Sequence, residues 1–293
     1  MGHEKRFSAS YQIRYRAQLA IALLLEIKSS IRYKYPPMPI AADIYYHAYE
    51  GGEEGERPPV VLIHGAGGTH LYWPSELRRL PGYRVFTLDL PGHGKSSGRG
   101  QQSIATYAHS VLNWMQAAGL HSAVFVGHSM GSAIAITLAL KNPQHVLGLG
   151  LVGASARLNV NPTLLENSAS PTTFHSVVET VVAWSFGPQT PSQLTELAAR
   201  RMAETRPTVL HSDFLACNEF DETEHIAEIS KPALLITGAE DKMTPVRNAQ
   251  FLAATIPNAR LEIIPNAGHM VMLERPQAVA SALLSFLDGI TYT

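Results

Sequence analysis

From Ile40 onward the chain alternates short apolar runs with stretches whose apolar residues recur every three or four positions. The short runs 41–48 (AADIYYHA), 60–63 (VVLI), 84–88 (RVFTL), 122–126 (SAVFV), 147–152 (LGLGLV), 233–237 (ALLIT) and 260–264 (RLEII) predict β-strands. The longer periodicity predicts helices over 103–118, 130–141, 245–256 and 275–288. Strands and helices in alternation build a largely parallel sheet covered on both faces, so the expected fold class is α/β. The acidic, glycine-rich stretch 50–58 (EGGEEGERP) reads as a solvated turn between two edge elements.

The rhythm breaks after Val152, and no strand-like run returns until Ala233. The interval of about 80 residues is far too long for a plain loop. Inside it TFHSVVETVVAWSF, PSQLTELAARRMAET and TVLHSDFLACNEF carry helical periodicity and are punctuated by Pro162, Pro171, Pro188, Pro191 and Pro207. We therefore expect a helical cap, residues 154–231, inserted into one core formed by 38–153 and 232–293. The core is preceded by an extra helical element over 1–37, where Ile13, Ala17, Ala20, Leu24, Ile27 and Ile31 form an amphipathic stripe. Its apolar run LAIALLL at 19–25 is shorter than the ~20 residues a bilayer span needs. No small-residue cleavage site follows it, and the stripe suits packing on this chain or on a second copy, with membrane-surface contact and a frayed leader without a role as the other readings. A monomer and a homodimer are both open.

Composition narrows the function classes. Hydrophobic residues make up 45% of the chain and charged residues 16%, enough apolar material for a buried sheet. A formal net charge of −1 provides no field to gather nucleic acid, and no nucleic-acid partner is expected. The single cysteine, Cys217, excludes an intrachain disulfide and a thiolate-rich zinc site, which suits a reduced, cytoplasmic setting; among apolar neighbours it reads as a packing residue.

Candidate chemistry centres on Gly127-His128-Ser129-Met130-Gly131, a G-x-S-x-G string with a strand before it and a helix after it. So sharp a strand-to-helix turn needs residues without bulk two positions either side of the serine. It also exposes the hydroxyl above a helix N-terminus, whose N–H groups face any developing negative charge. A serine needs a base, and the base an orienting acid. Asp241 follows the strand run LLITG and His269 follows LEIIP, giving the chain order Ser129, Asp241, His269. Glu240, one residue earlier in the same loop, is the competing acid.

His64-Gly65-Ala66-Gly67-Gly68 closes another strand run with almost no side-chain bulk, as oxyanion-stabilising loops do. The expected donors are the backbone N–H groups of Met130 and Ala66, with Gly67 in reserve. Gly67, His70 and Trp73 are candidate substrate contacts, although His70, Tyr72 and Trp73 also suit packing under the cap. Gly94-Lys95-Ser96 lacks the glycine that a phosphate loop requires at position 89, so 89–98 reads as a structural turn. His93 and His128 have no third partner at metal spacing, and no metal is expected.

HGAGG, DLPGHGKSS, GHSMGS, GAEDKMTP and NAGHMVMLERP, in this order, resemble the α/β-hydrolase fold superfamily over roughly residues 38–288. The resemblance implies a mainly parallel eight-stranded sheet, a cap over the site and no cofactor. Haloalkane dehalogenases and epoxide hydrolases are similar but place an aspartate where Ser129 stands. Proline iminopeptidases show Gly-Gly-Ser-Trp-Gly, meta-cleavage C–C hydrolases Gly-Asn-Ser-Met-Gly, and hydroxynitrile lyases a lysine where this chain has Met270. The remaining fit is a carboxylesterase-like serine hydrolase acting on a small, uncharged, moderately apolar ester. C–C hydrolysis or perhydrolysis on the same three residues is the alternative, and a ligand-binding receptor with little turnover is the alternative of another class.

Overall fold

The computed structural model describes residues 39–52 and 55–292. The expected N-terminal helix over 1–37 lies outside the described residues. Eight strands, β1 (Ile40–Ala41), β2 (Ile44–Glu50), β3 (Val60–Ile63), β4 (Arg84–Leu88), β5 (Ala123–His128), β6 (Val146–Val152), β7 (Ala233–Gly238) and β8 (Ala259–Ile264), form one sheet in the order β1-β2-β4-β3-β5-β6-β7-β8. β1 and β2 pair antiparallel, as do β2 and β4, and every later pairing is parallel. The single strand expected over 41–48 is instead a tight hairpin, because Ala42 and Asp43 turn the chain through left-handed φ values of 45° and 65°. The 50–58 turn joins β2 to β3, which lies inside the sheet between β4 and β5 rather than at an edge.

Strand alternation sorts the core into two layers. Val61, Ile63, Phe125, Leu149, Leu151 and Leu235 face one side, where α2 (Ile104–Ala117), α3 (Met130–Lys141) and α8 (Val246–Thr255) cover them. Val60, Leu62, Val124, Val126, Leu234 and Ile236 face the other, under α1 (Ser75–Arg78) and α10 (Pro276–Leu287), with the short α9 (Val271–Glu274) just before it. Helix α3 is buried almost all round, which its Gly-Ser-Ala-Ile-Ala-Ile composition permits. Its N-terminus begins where β5 ends, and the chain reverses there within one residue.

The interval between β6 and β7 holds four α-helices, α4 (Pro162–Ser168), α5 (Phe174–Ser185), α6 (Ser192–Ala203) and α7 (Pro207–Glu219). Its two stems meet in an antiparallel bridge between Arg157 and Asp221, flanked by backbone bonds from Leu158 N to Phe220 O (3.2 Å) and from Glu222 N to Ala156 O (2.9 Å). Closing the stems this way returns the chain to the sheet beside the point where it left. Apolar residues of α5, Val177, Val178, Val181 and Val182, join the same layer as Tyr72 and Trp73. No helix among the described residues is long and apolar enough to cross a membrane.

Candidate active site

Ser129 sits in the turn between β5 and α3 with φ 54° and ψ −115°, a region that side-chain-bearing residues rarely enter. Neighbouring glycines make the turn possible. A Cβ on Gly127 would overlap the carbonyl of Gly131, and one on Gly131 would overlap the carbonyl of Ile63. The Ser129 N–H donates to Val152 O (2.9 Å), and Ser132 Oγ donates to Gly127 O (2.7 Å), so the strained turn is held from both sides.

The loop after β7 brings Asp241, and the loop after β8 brings His269, to the same end of the sheet. His269 Nδ1 lies 2.8 Å from Asp241 Oδ2 and 3.1 Å from Thr244 Oγ1. With a carboxylate facing Nδ1, the proton belongs on that nitrogen and Nε2 is left basic. Asp241 Oδ1 accepts the N–H groups of Met243 (2.9 Å) and Thr244 (2.8 Å), and Oδ2 accepts the Thr244 hydroxyl (2.9 Å). Burial favours the neutral acid, but the facing His269 ring and these hydrogen bonds together hold the carboxyl below the ordinary aspartate value. The competing acid makes no such contact: Glu240 Oε2 is buried without a hydrogen-bond partner, beside Gly187.

His128 packs its ring 4.7 Å from that of His269 and, through Nε2, donates to the His269 carbonyl (3.1 Å). Burial, and then the neighbouring His269, push its pKa down to about 3, so the ring is a neutral prop. His64 is neutral too. Its Nε2 accepts the Leu90 N–H (3.0 Å), which puts the proton on Nδ1 facing Gly65 O (2.8 Å), and burial followed by the nearby His93 lowers its pKa to about 4.

In the 64–68 loop, Gly68 N donates to Gly65 O (3.0 Å) and Gly67 has φ +64°, the signature of a type II β-turn with Ala66 and Gly67 at its centre. Ala66 lines the same cavity as Ser129. The three candidate substrate contacts do not. The Gly67 N–H, the reserve donor, is already bound to Asp213 Oδ2 (2.8 Å). His70 is buried and uses its N–H and its ring Nδ1 on Asp89 Oδ1 (2.6 and 2.9 Å). Trp73 is fully buried among Leu77, Leu80, Tyr83 and Val85, so it belongs to the core. Asp89 also accepts Lys95 N (2.9 Å), and residues 89–98 form a turn clamped on that carboxylate.

Asp213, in α7 of the insertion, is a site residue that sequence reasoning missed. It is fully buried, and besides Gly67 N it binds His93 Nε2 (2.8 Å) and accepts the Tyr107 hydroxyl (2.5 Å). His93 Nδ1 faces Pro91 O (3.1 Å), so both ring nitrogens point at acceptors and both must donate. His93 is therefore an imidazolium: burial opposes its charge, but Asp213 overrides that and raises its pKa.

Ser129 opens onto a cavity of about 500 Å3 roofed by the insertion. Leu158, Val160, Leu164, Trp184 and Phe214 form its apolar wall. Arg157, Lys242 and Arg247 also line it, and no carboxylate does. The basic residues come from the stem of the insertion (Arg157), the loop after β7 (Lys242) and the first turn of α8 (Arg247), and Arg157 is shared with Asp221 at 3.4 Å. Cys217 lies on the wall as well, with burial first and Asp213 second pushing its thiol well above the ordinary range, so it is an unreactive packing group. Among the described residues no group of three or more His, Cys, Asp or Glu side chains could hold a metal ion.

Residues 58–276 match the family model described as the alpha/beta hydrolase fold. A pimeloyl-(acyl-carrier protein) methyl ester esterase from Aromatoleum aromaticum is 28% identical over 256 residues, covering 80% of this chain and 99% of that protein. Among solved structures, a hydrolase from Pseudomonas aeruginosa PA01 is 30% identical with a TM-score of 0.75, covering 83% of this chain and 94% of that one. A thermophilic esterase is 32% identical with a TM-score of 0.71, covering 85% of this chain and all of that one (100%).

Proposed function

Since the chain belongs to the α/β-hydrolase fold family, with esterase-type hydrolases among its relatives, we propose that it cleaves a carboxylic ester through an acyl-enzyme on Ser129. One observation carries the reading: a serine in a strained turn, φ 54°, opens onto a cavity of about 500 Å3 at the sheet end where His269 meets Asp241 at 2.8 Å.

In this reading Ser129 Oγ attacks the ester carbonyl while His269 Nε2 takes its proton, and Asp241 stabilises the imidazolium through Nδ1. The N–H groups of Met130, at the start of α3, and Ala66 receive the oxyanion. Protonated His269 hands its proton to the leaving alcohol. Water, deprotonated by neutral His269, then attacks the acyl carbon and releases the acid. Fully buried His64 and the neutral His128 keep competing charge away from the catalytic ring.

The apolar wall supports an acyl or alcohol part of moderate hydrophobicity. Arg157, Lys242 and Arg247 on the same cavity also suit a substrate that carries a negative group, beyond the uncharged ester expected from the sequence. A fluorophosphonate probe tests the reading: it should label wild type and fail on Ser129→Ala, and a panel of p-nitrophenyl esters graded by acyl length should be turned over by wild type alone. A folded wild type that the probe does not label refutes the nucleophile.

A further inference from the structure

Asp213 is a charge in the interior, and a buried carboxylate is costly unless other groups satisfy it. Here three donors from three separate parts of the core converge on it: Gly67 N at 2.8 Å, His93 Nε2 at 2.8 Å and Tyr107 Oη at 2.5 Å. Both members of the His93–Asp213 pair have side chains with no solvent exposure. Such a pair contributes little net stability compared with an apolar pair of the same shape, and what it supplies is fixed geometry. The geometry it fixes is at Gly67.

Residues 65–68 form a type II turn, and such turns interconvert with type I by rotation of the central peptide, here Ala66–Gly67. The insertion holds both ends of the Gly67 residue. Its N–H donates to Asp213, and its carbonyl accepts the Thr205 hydroxyl (3.0 Å), a residue just before α7. Rotating the central peptide would turn the Ala66 carbonyl toward the Asp213 carboxylate, which repels it. The turn is thereby locked in the form in which Ala66 lines the cavity beside Ser129.

We propose that Asp213 is a positioning residue: contributed by the cap, it tethers Gly67 and thereby holds in place the adjoining Ala66, whose own N–H, on the preceding Gly65–Ala66 peptide, is the oxyanion donor of the reading above. The inference rests on the ester reading above for its kinetic consequence, but not for its geometry. Asp213→Asn keeps the shape and removes the charge from the acceptor that Gly67 N and the His93 imidazolium share. Tyr107→Phe is the comparison, since it takes away one bond to Asp213 and leaves Gly67 bound.

In Asp213→Asn, kcat should fall by ten- to a hundredfold, approaching the loss of one oxyanion donor, with KM within about twofold of wild type. The Kd of an arylboronic acid, whose adduct with serine carries the oxyanion's charge, should weaken by the same factor. Tyr107→Phe should keep kcat within about threefold. A folded Asp213→Asn enzyme whose kcat and boronate Kd match those of Tyr107→Phe overturns the proposal, because a merely structural carboxylate would lower only the melting temperature. The Gly67 amide proton, read by NMR in wild type, should be downfield and slow to exchange. Fast exchange there overturns the proposal even where Asp213→Asn fails to fold. A wild type that neither turns over esters nor binds the boronate refutes the ester reading, and the Gly67 amide, which requires no turnover, still decides the placement.

Discussion

Acidification from pH 7 to pH 5 should destabilise this protein far above the pH at which its carboxylates titrate, because two histidines are buried neutral. The usual histidine value is 6.5, whereas burial, followed by the charge of a neighbouring histidine, lowers His64 to about 4 and His128 to about 3 in the folded chain. Below pH 6.5 the unfolded chain therefore binds protons that the folded chain refuses, and stability falls until the folded rings titrate too. Between pH 7 and 5 each ring costs about 2 kcal/mol by proton linkage, roughly 4 kcal/mol for the two. His93 acts in the opposite sense. Its pKa is raised in the folded chain, so its stabilisation is complete below 6.5 and lost as pH rises through the folded value; over this window it returns part of the loss. Asp241, held below its usual 3.8, stabilises above that value and loses its effect only as pH falls through the lower folded one, outside the window. The net expectation is about 3 kcal/mol lost. Urea unfolding at pH 7 and pH 5, followed by fluorescence of the buried Trp73 and Trp114, measures it directly, with an unchanged m-value as the check on two-state behaviour. His128→Asn, which retains a donor for the His269 carbonyl, should remove about 2 of those 3 kcal/mol. A loss below about 1 kcal/mol, or a full slope in His128→Asn, would show that the rings are not neutral as described.

Asp241→Asn should lower kcat toward p-nitrophenyl esters by about 10^4-fold, the cost of presenting the wrong histidine tautomer, whereas Glu240→Gln should stay within severalfold of wild type; equal losses would mean the acid is misassigned. Trp73→Ala should cost about 3–5 kcal/mol in urea unfolding and leave KM unchanged, and a KM increase without loss of stability would return Trp73 to the substrate cavity. Lys242 and Arg247 line the cavity together with Ser129, so an ester with a free carboxylate should show a lower KM than its neutral homologue at low salt, and screening should erase the difference near 0.5 M. Lys242→Gln with Arg247→Gln should abolish that preference with kcat intact, and a preference that survives both the salt and the double variant refutes the electrostatic account.

The fold was readable where its causes are local. The β3 run VVLI spans the observed strand Val60–Ile63, and the helix read over 130–141 is Met130–Lys141, because apolar runs and helical periodicity report burial by neighbouring elements directly. The hairpin at Ala42-Asp43 was not readable, since neither residue is glycine and the turn is held by the pairing of Ile40 with Tyr45 and Ala41 with Ile44 and by the distant Ser97 N–H on the Asp43 carbonyl (3.3 Å). Sheet order was equally hidden from a period-two pattern. The 50–58 loop ends at an interior strand although its own acidic, glycine-rich composition describes only a solvated turn.

At the site the same division separates steric constraints from electrostatic ones. Gly127 and Gly131 announce the turn at Ser129 because a Cβ at either position would strike backbone only a few residues away or on the adjoining strand, a constraint that two letters can carry. His70 and Trp73 were misplaced for lack of such a constraint: following the 64–68 loop in sequence says nothing about which way a side chain turns, and Asp89 and the layer around Leu77 decide it. Asp213 is the harder case. Its partners stand 120 residues away at His93 and 146 away at Gly67, and nothing local selects them. Its trace is a lone carboxylate beside FLAC in a helix with an apolar face, next to a His93 and a Tyr107 that had no assigned partners. Since a buried charge must be matched somewhere, that misplaced aspartate was a question the sequence posed, and the contact to the oxyanion loop is the part of the answer that only the folded chain contains.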